Sequence, residues 1–216
     1  MKIFKLPKEI KALIFDMDLT LYSHSEYGQY QIDCMVEKFG KIRGLSFNEA
    51  KHAIEERRKE WESSCGNKPS LANVLESYGM PIEEIILWRE ELLKPESYLK
   101  EDLMLKKSLE GLSRFFTLGV VTNNPVLVAR KTLAALGVDC LLPIIVGIDV
   151  CKVSKPHRKP FEKFSELSGC PFENCVSIGD RYDVDLAIPL EMGMGGILVN
   201  GVEEVYELEE ILTNCK

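Results

Sequence analysis

The 216-residue chain contains no Cys-x-x-Cys pair, although it has seven cysteines (34, 65, 140, 151, 170, 175 and 215). An odd number of thiols without close pairing argues against a disulfide framework or a zinc site. Reduced thiols and a cytoplasmic setting are therefore expected. No apolar run reaches 18 residues, so no membrane span is expected. The opening run Met1 to Glu9 lacks the apolar stretch of a secretory signal. Positive charge is in deficit, with 27 Lys and Arg against 34 Asp and Glu, for a net charge of −7. Nucleic-acid and membrane-surface binders carry a basic footprint, so neither kind of partner is expected. A small anionic substrate responds only to the local field and stays open. Repeats and low-complexity tracts are also missing. The length suits one domain or a core with one large insert, as a monomer or weak dimer.

Two textures divide what is present. From 21 to about 97 the pattern is helical. Ile32, Met35, Val36 and Phe39 share one helical face, and Ala50, Ala53, Ile54 and Trp61 another. Leu71, Val74, Leu75 and Tyr78 mark a third helix, and Ile85, Trp88 and Leu92 a fourth. From about 98 onward, strands and helices alternate. Strands are expected at 117–121, 141–148, 175–178 and 195–199, with Pro143 suggesting an irregular start to the second. Helices are expected around 105–116, 126–136, 161–167, 181–192 and 203–212. Such alternation predicts a parallel sheet with helices on both faces. Ala12-Leu13-Ile14-Phe15 supplies another buried strand, ahead of the helical stretch. The expected fold is thus α/β: a Rossmann-like, doubly wound core (1–20 and 98–216) with an inserted helical domain (21–97).

Ligands of such sheets bind beyond the carboxyl ends of the strands. The first strand ends in Asp16 and Asp18, two acids one residue apart, followed by Thr20. Burying like charges this close is costly unless a cation or a shared proton accompanies them. The other strand ends deliver Thr122-Asn123-Asn124, then Lys155-Pro156, then Gly179-Asp180 with Asp183 and Asp185 beyond. Four strand ends thus deliver carboxylates, a hydroxyl and an amine, and the paired acids are either a surface accident at a strand end or the centre of a metal-assisted active site.

With these residues in this order the chain resembles the phosphatase branch of the haloacid dehalogenase superfamily. The family's first motif, Asp-x-Asp-x-Thr, is matched by Asp16-Met17-Asp18-Leu19-Thr20, with Leu19 where many members carry Gly or Asn. Thr122 matches the second motif, and Lys155-Pro156 the third. Gly179-Asp180 with Asp185 matches the fourth, 25 residues after Lys155. The resemblance implies Asp16 as nucleophile and Asp18 as general acid and base. It implies phosphate binding by Thr122, the backbone N–H of Asn123, and Lys155. It also implies Mg²⁺ held by Asp16, Asp18 (through its carbonyl) and Asp180, with Asp185 behind them; Asp183 is the alternative to Asp185, and Lys159 to Lys155. Asn123 and Asn124 have side chains that also suit an ordinary helix cap. His24, Arg43, Arg57 and Arg58 could reach a substrate, or belong to surface and hinge. His157 reads as a loop residue, and Trp61 and Trp88 as core.

The resemblance further implies that the insert is a helical, C1-type cap that selects the leaving group. The expected function is Mg²⁺-dependent hydrolysis of a small soluble phosphomonoester through an aspartyl-phosphate. The substrate would be a nucleoside monophosphate or phosphoglycolate-like, since the motif runs are similar to pyrimidine 5′-nucleotidase and phosphoglycolate phosphatase-type members. A sugar-phosphate mutase of the same family, or a non-catalytic phosphate-binding protein, is the alternative.

Overall fold

Ala12–Phe15 (β2) has no exposed residue, a burial pattern possible only for a strand covered on both faces. It lies at the centre of a sheet that, among the described residues, has six strands in the order β1-β6-β5-β2-β3-β4. The computed structural model describes residues 1–66 and 68–213. The other strands are β1 (Lys2–Lys5), β3 (Thr117–Val121), β4 (Ile144–Val146), β5 (Cys175–Gly179) and β6 (Gly195–Leu198). All neighbours pair in parallel except β1, which runs antiparallel to β6. The fold is therefore the expected Rossmann-like α/β arrangement with one added antiparallel edge.

The chain divides into two compact units. One, Ser25–Leu93, holds helices α1 (Ser25–Arg43), α2 (Phe47–Cys65), α3 (Leu71–Ser77) and α4 (Ile82–Leu92). Ser46 with Glu49, and Ser70 with Asn73, form capping boxes that start α2 and α3 by satisfying free N–H groups. The other unit holds the sheet, with α5 (Leu103–Ser113), α6 (Val126–Ala135), α7 (Ile148–Cys151), α8 (Arg158–Ser168), α9 (Ala187–Glu191), α10 (Val202–Tyr206) and α11 (Leu208–Thr213). Residues 21–24 and 94–97, read above as part of the insert, group with the sheet. Helix α8 lays Phe161 and Phe164 against Ala12, Ile14, Val121 and Val146. Each such aromatic burial stabilises by about 1.5–3 kcal/mol.

Several local expectations are corrected. Ile32 is exposed, and Tyr27 and Gln31 share the buried face of α1 with Met35 and Phe39. Only Ile144–Val146 of the 141–148 run is strand, because Pro143 lacks an N–H and α7 begins at Ile148. The helix at 181–192 opens with a wide π-turn over Tyr182–Leu186. The segment at 203–212 is two helices, α10 and α11. Trp88 is buried and Trp61 half-buried. Cys34, Cys140, Cys151, Cys170 and Cys175 are unpaired; the Cys65 side chain and Cys215 lie outside the described residues. Among the described residues no helix is long and apolar enough to cross a membrane.

Candidate active site

Strand register sets the site. Phe15 pairs with Val120 on one side and Ile178 on the other. Asp16, Thr122 and Asp180 each follow within two residues and emerge at the same sheet edge. Here the connections from β2 and β5 leave in opposite directions, the place where doubly wound sheets bind ligands. The Asp16 N–H donates to Ile178 O at 2.8 Å, and the Thr122 N–H to Val146 O at 3.0 Å.

Lys155 is buried, and its ammonium donates to Asp16 Oδ1 at 2.6 Å and to Asp185 Oδ1 at 2.7 Å. Burial alone would lower its pKa, but the two carboxylates outweigh it and hold the amine above the ordinary lysine value. The alternatives are placed elsewhere: Lys159 is exposed on α8, and Asp183 is exposed on the π-turn. The wide turn directs Asp185 inward instead. Its Oδ2 accepts the Arg181 N–H at 3.1 Å, and its own N–H donates to Arg181 O at 2.8 Å.

Asp180 lies beside this pair. One oxygen each from Asp16, Asp180 and Asp185 fall within 4.8 Å of one another. Desolvation, then the charges of Asp16 and Asp185, push Asp180 up to about 7; desolvation, then the charge of Asp16, push Asp185 up to about 6 against the opposing charges of Lys155 and Arg181. Asp180 Oδ1 is buried and has no hydrogen-bond partner among the described residues. Once all three acids are ionised, the one buried ammonium leaves an excess of negative charge that a divalent cation would offset. Carboxylate oxygens suit Mg²⁺, a hard cation. The donor set therefore fits such an ion. The Asp18 carboxylate stands outside this group.

The Asp18 side chain has a different setting. Tyr22 donates its hydroxyl proton to Asp18 Oδ1, and Asn124 Nδ2 donates to Asp18 Oδ2 at 2.8 Å. Thr122 Oγ1 accepts the Asn124 N–H at 3.1 Å, which leaves the Thr122 proton to point elsewhere. Asn123 brackets the Lys155 backbone: its Oδ1 accepts the Lys155 N–H at 2.6 Å and its Nδ2 donates to Lys155 O at 3.3 Å. The helix-cap reading of the two asparagines is thus corrected. Asp149 Oδ1 accepts the Val126 N–H at the start of α6 instead.

Sequence reasoning placed Tyr22 at the start of a flap and hinge segment (22–28) beside the nucleophile but gave neither Tyr22 nor Asn124 a contact with Asp18, and it did not single out Arg181. Arg181 holds its guanidinium 3.9 Å from Asp180 Oδ1, with its side chain half-exposed. Its position next to Gly179-Asp180 was the available signal. His157 accepts the Lys159 N–H at the start of α8. His24 meets the Tyr98 ring edge-on at 6.0 Å between centroids. Arg43 donates to Tyr78 O and Arg57 packs over the Tyr78 ring, so both have partners within their own unit.

Comparison with known proteins gives a consistent picture. A glyceraldehyde 3-phosphate phosphatase of Methanocaldococcus jannaschii is 27% identical over 86% of this chain and 82% of its own length. A phosphoglycolate phosphatase of Colwellia psychrerythraea is 32% identical over 43% of this chain and 40% of its own. The crystal structure of a phosphatase from Thermococcus onnurineus shares the fold, with a TM-score of 0.60 and 21% identity over 94% of this chain and 98% of that one. The profile of the haloacid dehalogenase-like hydrolases matches residues 10–193. That span takes in every strand of the sheet but β1 and β6, and the chain belongs to the haloacid dehalogenase-like hydrolase family.

Proposed function

We propose that this phosphatase hydrolyses small soluble phosphomonoesters in two steps, with Asp16 as nucleophile and Mg²⁺ as the required ion. The observation that carries the reading is the Lys155 ammonium held between Asp16 and Asp185, with Asp180 alongside. Lys155 occupies Asp16 Oδ1, which leaves Oδ2 to attack phosphorus. A bond forms from Asp16 to phosphorus as the bond to the leaving oxygen breaks, and Asp18 gives that oxygen its proton. Water then attacks the phosphoryl group, Asp18 takes the water's proton, and Asp16 is restored. Thr122 and the Asn123 N–H bind phosphate oxygens, and Lys155 offsets their charge. Bound Mg²⁺, held by Asp16, Asp180 and the Asp18 carbonyl, would supply further charge neutralisation at the phosphoryl oxygens.

The names of the relatives favour two- and three-carbon phosphates, glyceraldehyde 3-phosphate and phosphoglycolate, over the nucleoside monophosphates also considered. We assign leaving-group selection to the helical unit, as a cap, and action in the cytoplasm, which suits unpaired thiols. The test is a screen of these phosphates with Mg²⁺ and with chelator, alongside Asp16→Asn. Phosphate release that needs the metal and vanishes in the variant is expected, with a phosphorylated Asp16 peptide after rapid quench. Unchanged turnover in Asp16→Asn would sink the assignment.

A further inference from the structure

We propose that Tyr22 and Asn124 are positioning residues that fix the carboxyl plane of Asp18 for proton transfer to the leaving oxygen. The inference rests on the phosphomonoester reading and adds to it how the acid is aimed.

The local chain explains the arrangement. After Asp16 the backbone turns tightly: the Thr20 and Leu21 N–H groups both donate to Met17 O, at 3.3 and 2.9 Å. Leu19 takes a left-handed conformation with φ 61°. The turn brings Tyr22 back beside Asp18, where the two form an isolated β-bridge. The Tyr22 side chain is buried, and its hydroxyl reaches Asp18 Oδ1. Asn124 approaches from the end of β3 and is itself immobilised. Its N–H is on Thr122 Oγ1, its carbonyl accepts the Ile148 N–H at 3.2 Å, and only 1% of it is exposed.

Each carboxylate oxygen of Asp18 thus receives a donor, Oδ1 from Tyr22 and Oδ2 from Asn124. A carboxylate offers acceptor positions on both oxygens, so a donor on each oxygen fixes its plane. Asp18 itself remains partly open to solvent. Tyr22 and Asn124 exchange no proton in the reaction. Asp18 loses its proton to the leaving oxygen while the Asp16–phosphorus bond forms, and the two neighbours hold it in place. Without them the carboxyl group rotates, and misplacement by 1 Å costs roughly 10²-fold.

The prediction is specific to the leaving group. An alkoxide must be protonated as it departs, whereas p-nitrophenolate leaves without a proton. The comparison uses kcat/KM, which reports on steps through phosphoryl transfer to Asp16. For Tyr22→Phe and Asn124→Ala, kcat/KM should fall roughly 30- to 100-fold on the best alkyl phosphate among those screened. It should change less than about threefold on p-nitrophenyl phosphate. Tyr22→Phe keeps the buried ring, so it tests the idea even if Asn124→Ala does not fold. Equal losses on both esters, or no loss on the alkyl ester, would overturn the proposal while leaving the phosphatase reading intact. Turnover of the aryl ester alone by the wild type would also overturn it, since an aimed acid serves alkoxides. An inactive wild type would remove the phosphatase reading, and this inference with it.

Discussion

Lys155 Nζ lies 2.6 Å from Asp16 Oδ1, although 139 positions separate the two residues in the chain. The contact joins the loop before α8 to the end of the central strand, and Asp185 Oδ1 completes it from a third loop at 2.7 Å. All three side chains are buried. Their charges are tolerable only together, because the ammonium offsets carboxylates that water cannot reach.

Removing the amine tests that coupling. In Lys155→Met, Asp16 and Asp185 face each other uncompensated. We expect a loss of about 3–5 kcal/mol in stability, measured by urea unfolding in chelator. Saturating Mg²⁺ should return part of the loss, so the metal raises the melting temperature more in the variant than in the wild type. A loss below about 1 kcal/mol would mean that the amine does not hold the acids.

The raised pKa values of Asp180 (about 7) and Asp185 (about 6) imply a pH dependence of stability. Their ordinary value is 3.8, so between about 4 and 7 the folded state binds more protons than the unfolded state. Stability from these groups is present at low pH and lost as pH rises through 6 to 7. Thermal melts of metal-free protein at pH 5 and 7.5 should show this contribution as a higher melting temperature at the lower pH. Mg²⁺ favours the ionised acids and should flatten the trend, as should Asp180→Asn.

The chain order of the site was legible because three of its four motifs directly follow buried strands. Ala12–Phe15, Thr117–Val121 after its exposed first residue, and Cys175–Gly179 are buried and mostly apolar, and two-sided burial leaves no other place for them. β1 was not legible. All four of its residues are exposed, so Lys2-Ile3-Phe4-Lys5 carries no burial pattern, and pairing with β6 makes it a strand. Nor was the π-turn, since helical periodicity does not distinguish a 3.6-residue turn from a wider one. The Asn124 bond to Asp18 spans 106 positions, and the Tyr22 bond depends on a left-handed residue where a leucine stands. Neither leaves a trace in local pattern.

Leu19 gives a stability prediction. Left-handed backbone costs a residue with a Cβ about 1–2 kcal/mol, and Leu19 is 40% exposed, so its packing offsets little of this. Glycine is free of that cost but loses more chain entropy on folding, so Leu19→Gly should stabilise by only about 0.5 kcal/mol. Leu19→Val, branched at Cβ, should destabilise by about 1 kcal/mol or more. Equilibrium unfolding of the two variants checks the order. Equal stabilities would mean that the turn relaxes.

Gly179 is required by approach rather than by backbone angle. A Cβ there would lie 2.4 Å from Asp185 Cβ and 2.7 Å from its Cγ and Oδ2. Asp185 has no freedom to yield, because Oδ1 accepts from Lys155 and Oδ2 from the Arg181 N–H. In Gly179→Ala one of these bonds must break, although every proposed reacting group is still present. Overpacking should cost about 1–3 kcal/mol, and displacement of Asp185 from Lys155 should lower kcat roughly 10²-fold. Gly196 on β6 is the control. The nearest atoms to a Cβ there belong to the flexible Leu190 side chain, at 3.1 Å or more. Gly196→Ala should therefore keep most of its activity. Were the two variants to melt and turn over alike, contact with Asp185 could not be what excludes a side chain at position 179.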